Sequence, residues 1–437
     1  MSVDTTGVSS SGPIPREDMI AEISSTFENS RNESWWQKTA PLLATVLDSA
    51  EYSLELQEKY LRFHALSLIP RMGPLPQKFR SAVTRSGLPL EFSVNYQQHG
   101  GVPPTVRIGF EPIGDMSGTP EDPYNQVALY DLLKHVANLG LNGYDETLSN
   151  YVVNAHTVSE SERVRLDGKK VDGSDLSLSQ TAFGFDLKGG TIVVKGYSFP
   201  ALKCKATGKA FHELFEETVL SLSKLTGSLP AFETVNSYLK ETNGYSQWAF
   251  FSWDCMVAPK SRIKIYSSTD EVVWSKVESI WTLGGRVGGT HVSKGLEYLK
   301  RMWTLLNINE GNRKFTGGFD DGTDVTPTPI IWNYEMRPGS PVPQTKFYFP
   351  IHGDNDLVII RALAQFFEEI GQVEQGRGYE ETVQRYFPNR DLSKTSRLTS
   401  WISFAYTEKT GVYLSIYYHS SLDYPWAELE EKGQLLR

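Results

Sequence analysis

Cysteine is nearly absent: Cys204 and Cys255 are the only two in 437 residues. Two such thiols make neither a disulfide framework nor a thiolate zinc site, and the chain reads as suited to a reducing, cytoplasmic setting. Positive charge is also in deficit. The formal net charge is −9, which argues against nonspecific nucleic-acid binding, since that needs a basic surface. No run of 18 apolar residues occurs, so no membrane-spanning helix is expected and no membrane partner is implied. Residues 1–28 are rich in Ser, Thr, Gly and Pro and lack an apolar h-region, which reads as a flexible leader rather than a signal peptide. The eight histidines show no HExxH spacing, and no GxSxG elbow occurs, so a hydrolase has little support. Trp281-Thr282-Leu283-Gly284-Gly285-Arg286 is glycine-rich but matches neither a Walker nor a dinucleotide loop, and reads as a helix-ending turn.

What the chain does have is a repeated alternation. In Thr105–Glu111 it sets Arg107 against Val106, Ile108 and Phe110. In Ile192–Phe199 it sets Lys195 and Tyr197 against Val194, and in Arg262–Tyr266 it sets Arg262, Lys264 and Tyr266 against Ile263 and Ile265. In Lys346–Phe349 it sets Lys346 and Tyr348 against Phe347 and Phe349, and in Val412–Tyr418 it sets Tyr413 and Tyr417 against Leu414 and Ile416. Successive side chains of a strand point to opposite faces. One face of each segment therefore packs on a core, while the other lines something polar, anionic and partly apolar. A pocket for a phosphorylated hydrocarbon has those properties.

These strands come in pairs. Leu88–Tyr96 precedes Thr105–Ile113, Thr181–Leu187 precedes Thr191–Phe199, and Gln247–Val257 precedes Arg262–Ser267. Pro329–Glu335 precedes Lys346–Ile351, and Ser400–Tyr406 precedes Val412–His419. Short Gly, Pro or polar links inside each pair predict hairpins. Stretches with helical spacing separate the pairs, among them Trp35–Ser49, Gly208–Thr226 and Asp354–Ile370. The unit of helices and hairpin recurs five times, at a period of roughly 60 to 95 residues. Ten antiparallel strands with helices on one face predict an α+β fold with a single closed barrel, ringed by helices, whose lumen receives the Arg/Lys/Tyr face. The expected boundaries are a barrel domain over 29–425 and a C-terminal tail over 426–437.

Arg107, Lys195, Arg262, Lys264 and Lys346 would then converge from four hairpins. Buried charges need partners, and a diphosphate is one fitting partner for such a set. The competing reading pairs them with lumen carboxylates or leaves them on exposed strands. Tyr197, Tyr266, Tyr348, Tyr413 and Tyr417 either shield a carbocation or are present as good strand formers. Glu91 shares its face with Ser93 and Asn95. It either accepts an N–H from a substrate and acts as a base, or serves as a counter-ion. Asp320-Asp321-Gly322-Thr323-Asp324 spells a DDxxD motif, but inside a Gly/Thr/Pro-rich stretch that reads as a loop rather than a metal-binding helix.

Several segments together resemble the fungal aromatic prenyltransferases of the dimethylallyltryptophan synthase family. They are Gly87-Leu88-Pro89-Leu90-Glu91-Phe92-Ser93, Arg107-Ile108-Gly109-Phe110-Glu111-Pro112, Val194-Lys195-Gly196-Tyr197, Arg262-Ile263-Lys264-Ile265-Tyr266, Trp281-Thr282-Leu283-Gly284-Gly285 and Val412-Tyr413-Leu414-Ser415-Ile416-Tyr417. Within that family the chain looks most like the reverse prenyltransferases of tryptophan-containing diketopiperazines in notoamide and brevianamide pathways. The resemblance implies the α-β-β-α prenyltransferase barrel. It implies dimethylallyl diphosphate and a tryptophan-derived cyclic dipeptide as substrates, with reverse attachment at C2. It makes the five cations diphosphate ligands, the five tyrosines a shield around the allyl cation, and Glu91 the acceptor of the indole N–H. No metal would be required, a divalent ion being at most an enhancer. Tryptophan-prenylating members carry a lysine near Ala182 and an arginine near Ala249, and both are missing here. Loss of a carboxylate partner favours a neutral cyclic dipeptide. Loss of the lysine leaves Glu91, His419 or water as the final proton acceptor. Free tryptophan or another small aromatic is the alternative acceptor, a noncatalytic isoprenoid-diphosphate binder the alternative function. Monomer and homodimer both remain open.

Overall fold

The computed structural model describes residues 16–167, 178–246, 248–313 and 328–420. Its strands are β1 (Leu90–Gln97), β2 (Thr105–Phe110), β3 (Thr181–Lys188), β4 (Thr191–Ser198), β5 (Phe250–Asp254) and β6 (Ile263–Thr269), then β7 (Glu271–Val272), β8 (Gly311–Asn312), β9 (Ile330–Met336), β10 (Gln344–Phe349), β11 (Thr399–Thr407) and β12 (Gly411–His419). Ten of them close a barrel in the order β1-β12-β11-β10-β9-β6-β5-β4-β3-β2, while β7 and β8 pair separately. Every barrel pairing is antiparallel. Closure leaves no unpaired edge to recruit another chain.

The alternation in sequence becomes the inside and outside of this wall. Outward residues such as Phe92, Ile108, Phe185, Trp253, Ile265, Trp332, Phe404 and Ile416 are buried in one continuous apolar cluster with the helices. Each such side chain contributes roughly 1.5–3 kcal/mol on burial. The helices supply matching apolar stripes, including Leu43 and Leu47 of Ser30–Ser49, Leu222 of Phe211–Thr226 and Phe366 of Asp356–Glu369. Side-chain caps fix several helix starts. Ser53 accepts from the Leu56 amide and Asn355 from the Val358 amide, satisfying donors that the helix itself leaves open.

All five hairpin turns lie at one end of the barrel, and the helical crossovers enter and leave at the other. One glycine decides how the wall packs. A Cβ on Gly196 of β4 would stand 2.1 Å from the Trp253 ring. Only a bare Cα lets that indole lie against β4 and donate its N–H to Ser149 Oγ at 2.9 Å.

The expected ten barrel strands all form, with ends shifted by a few residues. The longest expected strand, Gln247–Val257, shortens to Phe250–Asp254 because the chain then turns through a 3₁₀ segment at Ala258–Lys260. Within the stretch 1–28 read as a flexible leader, Arg16–Ser24 is a helix. Met19 and Ile23 are buried, and the Trp36 indole donates to the Ile20 carbonyl at 3.2 Å. A stripe of only three apolar residues, set in a polar segment, hides that docking from composition. Helices Glu160–Asp167 and Ala201–Thr207 also escape the periodicity reading, being about two turns long. The DDxxD segment, the boundary at 425 and the tail 426–437 lie outside the described residues. Among the described residues no helix is long and apolar enough to cross a membrane. Cys204 and Cys255 are both buried and unpaired with each other.

Candidate active site

The barrel encloses a cavity of about 850 Å³ that opens at the hairpin end. Arg107, Lys195, Arg262, Lys264 and Lys346 all line it. The side chains reach it from β2, β4, β6 and β10, with Arg262 just before β6. Four of these cations are already held by carboxylates. Asp186 of β3, the register partner of Arg107, takes both the Arg107 fork and the Lys195 ammonium. Asp254 of β5 accepts from Arg262 at 2.5 Å and from Lys264 at 3.2 Å. Glu335 of β9 takes the other Arg262 nitrogen at 3.1 Å and Arg337 at 2.7 Å. The Lys346 ammonium lies 4.7 Å from the centroid of the Tyr413 ring, a cation–π arrangement. The competing sequence reading, cations paired with lumen carboxylates, is therefore part of the picture.

The pairing does not neutralise the girdle. With Arg337, which shares Glu335 with Arg262, six cations face three carboxylates, a formal excess of three positive charges. Against the cost of burial, Arg107 and Lys195 hold the Asp186 carboxyl well below the usual carboxylate range. Lys264 and Arg262 do the same for Asp254. The ammonium groups bear the excess. Burial, and then the charge of Arg107, bring Lys195 down to about 7. Burial, Arg107 and Lys195 push Lys346 well below an ordinary lysine. A chamber that strains its own cations in this way is matched to a multiply charged anion.

Beside the girdle the wall turns aromatic. Tyr197, Tyr266, Tyr348 and Tyr417 form an arc in which successive ring centroids are 6.2 Å apart. Gly184, opposite Lys195 in the register, makes room for the Tyr197 ring, which would lie 3.3 Å from a Cβ there. Tyr413 is set apart from the arc and backs Lys346. Two further aromatics extend the surface: Phe250 stacks on Tyr266 at 4.0 Å, and Trp401 meets Tyr348 edge-on at 6.4 Å.

Glu91 sits near the crossover end of β1 and is buried. Its carboxyl accepts a hydrogen bond from Ser400 Oγ at 2.6 Å, a residue at the irregularity in β11 pairing between Thr399 and Trp401. Burial pushes Glu91 up to about 8, the Ser400 bond opposing. A second buried acid, Glu111, anchors the segments around that end. It accepts from Ser81 at 2.5 Å, Ser179 at 2.7 Å and Asn125 at 3.1 Å, and burial brings it to about 7 despite those bonds.

The positions of the two alanines separate. Ala182 faces inward, opposite Tyr197. Ala249 belongs to the apolar cluster on the outer side of the wall, while its neighbour Phe250 turns inward onto Tyr266. The missing-arginine reading at Ala249 is thereby corrected: a side chain there would leave the lumen. Sequence reading missed Asp186, Asp254, Glu335, Phe250 and Trp401. The signal was present, since each falls on the inward phase of its own strand.

The chain is similar to known proteins. Residues 31–382 match the family described as Tryptophan dimethylallyltransferase. The chain is 52% identical to the prenyltransferase phqI of Penicillium fellutanum, covering 97% of this chain and 96% of that protein. It is 42% identical to the reverse prenyltransferase criA of Aspergillus cristatus, over 92% of this chain and 93% of that protein. Among solved structures, NotF in complex with brevianamide F and DMSPP superposes with a TM-score of 0.84 at 39% identity, covering 93% of this chain and 99% of that one.

Proposed function

Because this chain belongs to the tryptophan dimethylallyltransferase family, we propose that it is an indole prenyltransferase that moves a dimethylallyl group from dimethylallyl diphosphate to the indole of a tryptophan-containing cyclic dipeptide. The observation that carries this reading is the meeting of two surfaces inside one barrel: five cations with excess charge, and an arc of tyrosines beside them. The first is suited to a diphosphate, the second to what a diphosphate leaves behind. Similarity to a reverse prenyltransferase and to an enzyme holding brevianamide F supports a cyclic dipeptide and reverse attachment. The resemblance to reverse prenyltransferases of diketopiperazines implies C2 as the point of attachment.

In this mechanism Arg107, Lys195, Arg262, Lys264 and Lys346 take the diphosphate oxygens, and their charge stabilises the leaving group as the allylic C–O bond breaks with its electron pair. Tyr197, Tyr266, Tyr348 and Tyr417 keep water from the allyl cation, and Tyr413 orients Lys346. Glu91 accepts the indole N–H, which aligns the ring and raises its electron density. The ring then attacks the cation, and loss of a proton restores aromaticity. Fixed protein cations supply the charge compensation, so turnover is expected without added metal.

The test is incubation with dimethylallyl diphosphate and an equimolar mixture of tryptophan and cyclo-tryptophanyl-proline, with EDTA present. Mass and NMR analysis should find a prenylated dipeptide with the tertiary allyl carbon on C2. Prenylated tryptophan as the main product would replace the proposed acceptor. No product from either would leave only a diphosphate binder. Lys195→Ala should lower dipeptide turnover by on the order of 10²-fold, the scale for loss of one charge-stabilising donor.

A further inference from the structure

Glu91 has two flanking partners in the barrel wall. On β2 it faces Gly109, which carries no side chain, and on β12 it faces His419. Directly opposed residues of an antiparallel pair project to the same face, with Cβ atoms about 4.5–5.5 Å apart. His419 is fully buried, and its ring stands 6.4 Å, centroid to centroid, from that of His352. Of the two residues in register with Glu91, only His419 carries a side chain, and a neutral imidazole has a ring nitrogen that can accept a proton.

The chemistry of the indole ring connects these positions. The atom that Glu91 would hold is the ring nitrogen, and C2 is bonded directly to it. A base that removes the C2 proton must therefore stand one short step from the group that holds the N–H. His419 stands at that step. Ser400 donates its hydroxyl to the Glu91 carboxyl and is no base.

We propose that His419 is the base that completes the reaction, a role that rests on the function proposed above. Attack by C2 forms the bond to the tertiary allyl carbon and leaves the ring cationic at C3. The His419 imidazole takes the C2 proton, and the C2–H electron pair restores the C2=C3 double bond. The diphosphate has already left with the electron pair of its C–O bond, and the imidazolium gives up its proton before the next turnover.

The test compares wild type with His419→Asn, using the dipeptide deuterated at indole C2. Wild type first establishes turnover, and its failure to prenylate would overturn both proposals. If it turns over, His419→Asn should lower kcat by about 10²-fold or more with little change in KM. A primary isotope effect from C2 deuterium should emerge on kcat, because proton removal becomes rate-limiting. Binding of dimethylallyl thiolodiphosphate should stay within about twofold of wild type, as no diphosphate contact is touched. A kcat that stays near wild type, or a fall without an isotope effect, would overturn the role of His419 alone. So would loss of thiolodiphosphate binding, which would make His419 a structural residue. His419→Gln, assayed in parallel, guards against a result peculiar to asparagine.

Discussion

The buried carboxyl of Glu91, near the crossover end of β1, carries two opposed consequences. Burial pushes Glu91 up to about 8 from the ordinary 4.5, so in the empty protein it holds its proton through neutrality. The ionised form is the stronger N–H acceptor. The kcat/KM for the dipeptide should therefore rise with pH and level off above about 8. Ser400→Ala removes the bond that lowers this value, and should move the rising limb to higher pH. Stability runs the other way. The unfolded chain releases the proton near 4.5 while the folded one keeps it to about 8, so the folded state binds more protons in that window. The stability owed to this group is full below about 4.5 and is lost as pH rises to 8. Glu91→Gln should accordingly raise Tm at pH 8, change it little at pH 4.5, and lower turnover throughout. Thermal unfolding at the two pH values checks this, and an equal shift at both would refute it.

At the level of strands, the alternation of cations and tyrosines with aliphatic residues was enough to find the wall and its inner face. Ten strands and five hairpins were legible because every strand is apolar on one side only. The three short helices were not legible, since each buries too few residues to leave a period. The counter-charges Asp186, Asp254 and Glu335 were overlooked for a different reason. Each stands alone on its strand, and a lone acid acquires meaning only once register puts it beside a cation on the next strand. Ala249 illustrates the limit from the other direction, because one residue of phase moves a side chain to the opposite side of a sheet. Gly196 tests the packing of this layer. Gly196→Ala places a methyl 2.1 Å from the Trp253 ring, which should cost about 1–3 kcal/mol. Chemical denaturation should show most of that loss recovered in a Gly196→Ala/Trp253→Leu pair. Additive losses would mean the strain lies elsewhere.

The whole molecule carries a formal charge of −9, yet its chamber is positive and the entrance adds Lys188, Arg337 and Lys409. An anionic substrate therefore meets attraction on the approach to the opening. The kcat/KM for dimethylallyl diphosphate should fall steeply with ionic strength, while that for the uncharged dipeptide should barely change. Inside, a bound diphosphate restores the strained ammoniums. Lys195 sits at about 7 when the chamber is empty, and an adjacent anion raises it again. Binding should thus take up protons above pH 7, and the affinity should weaken as pH rises. Calorimetry in buffers of different ionisation enthalpy reads this directly, and binding without proton uptake at pH 8 would contradict it.

With all five turns gathered at the entrance and every helical crossover at the far end, the scaffold separates gatekeeping from chemistry. Sequence drift or laboratory diversification confined to those turns can alter which acceptors are admitted. The reacting residues would stay where the wall holds them, so relatives can diverge in diet while keeping one way of making the bond.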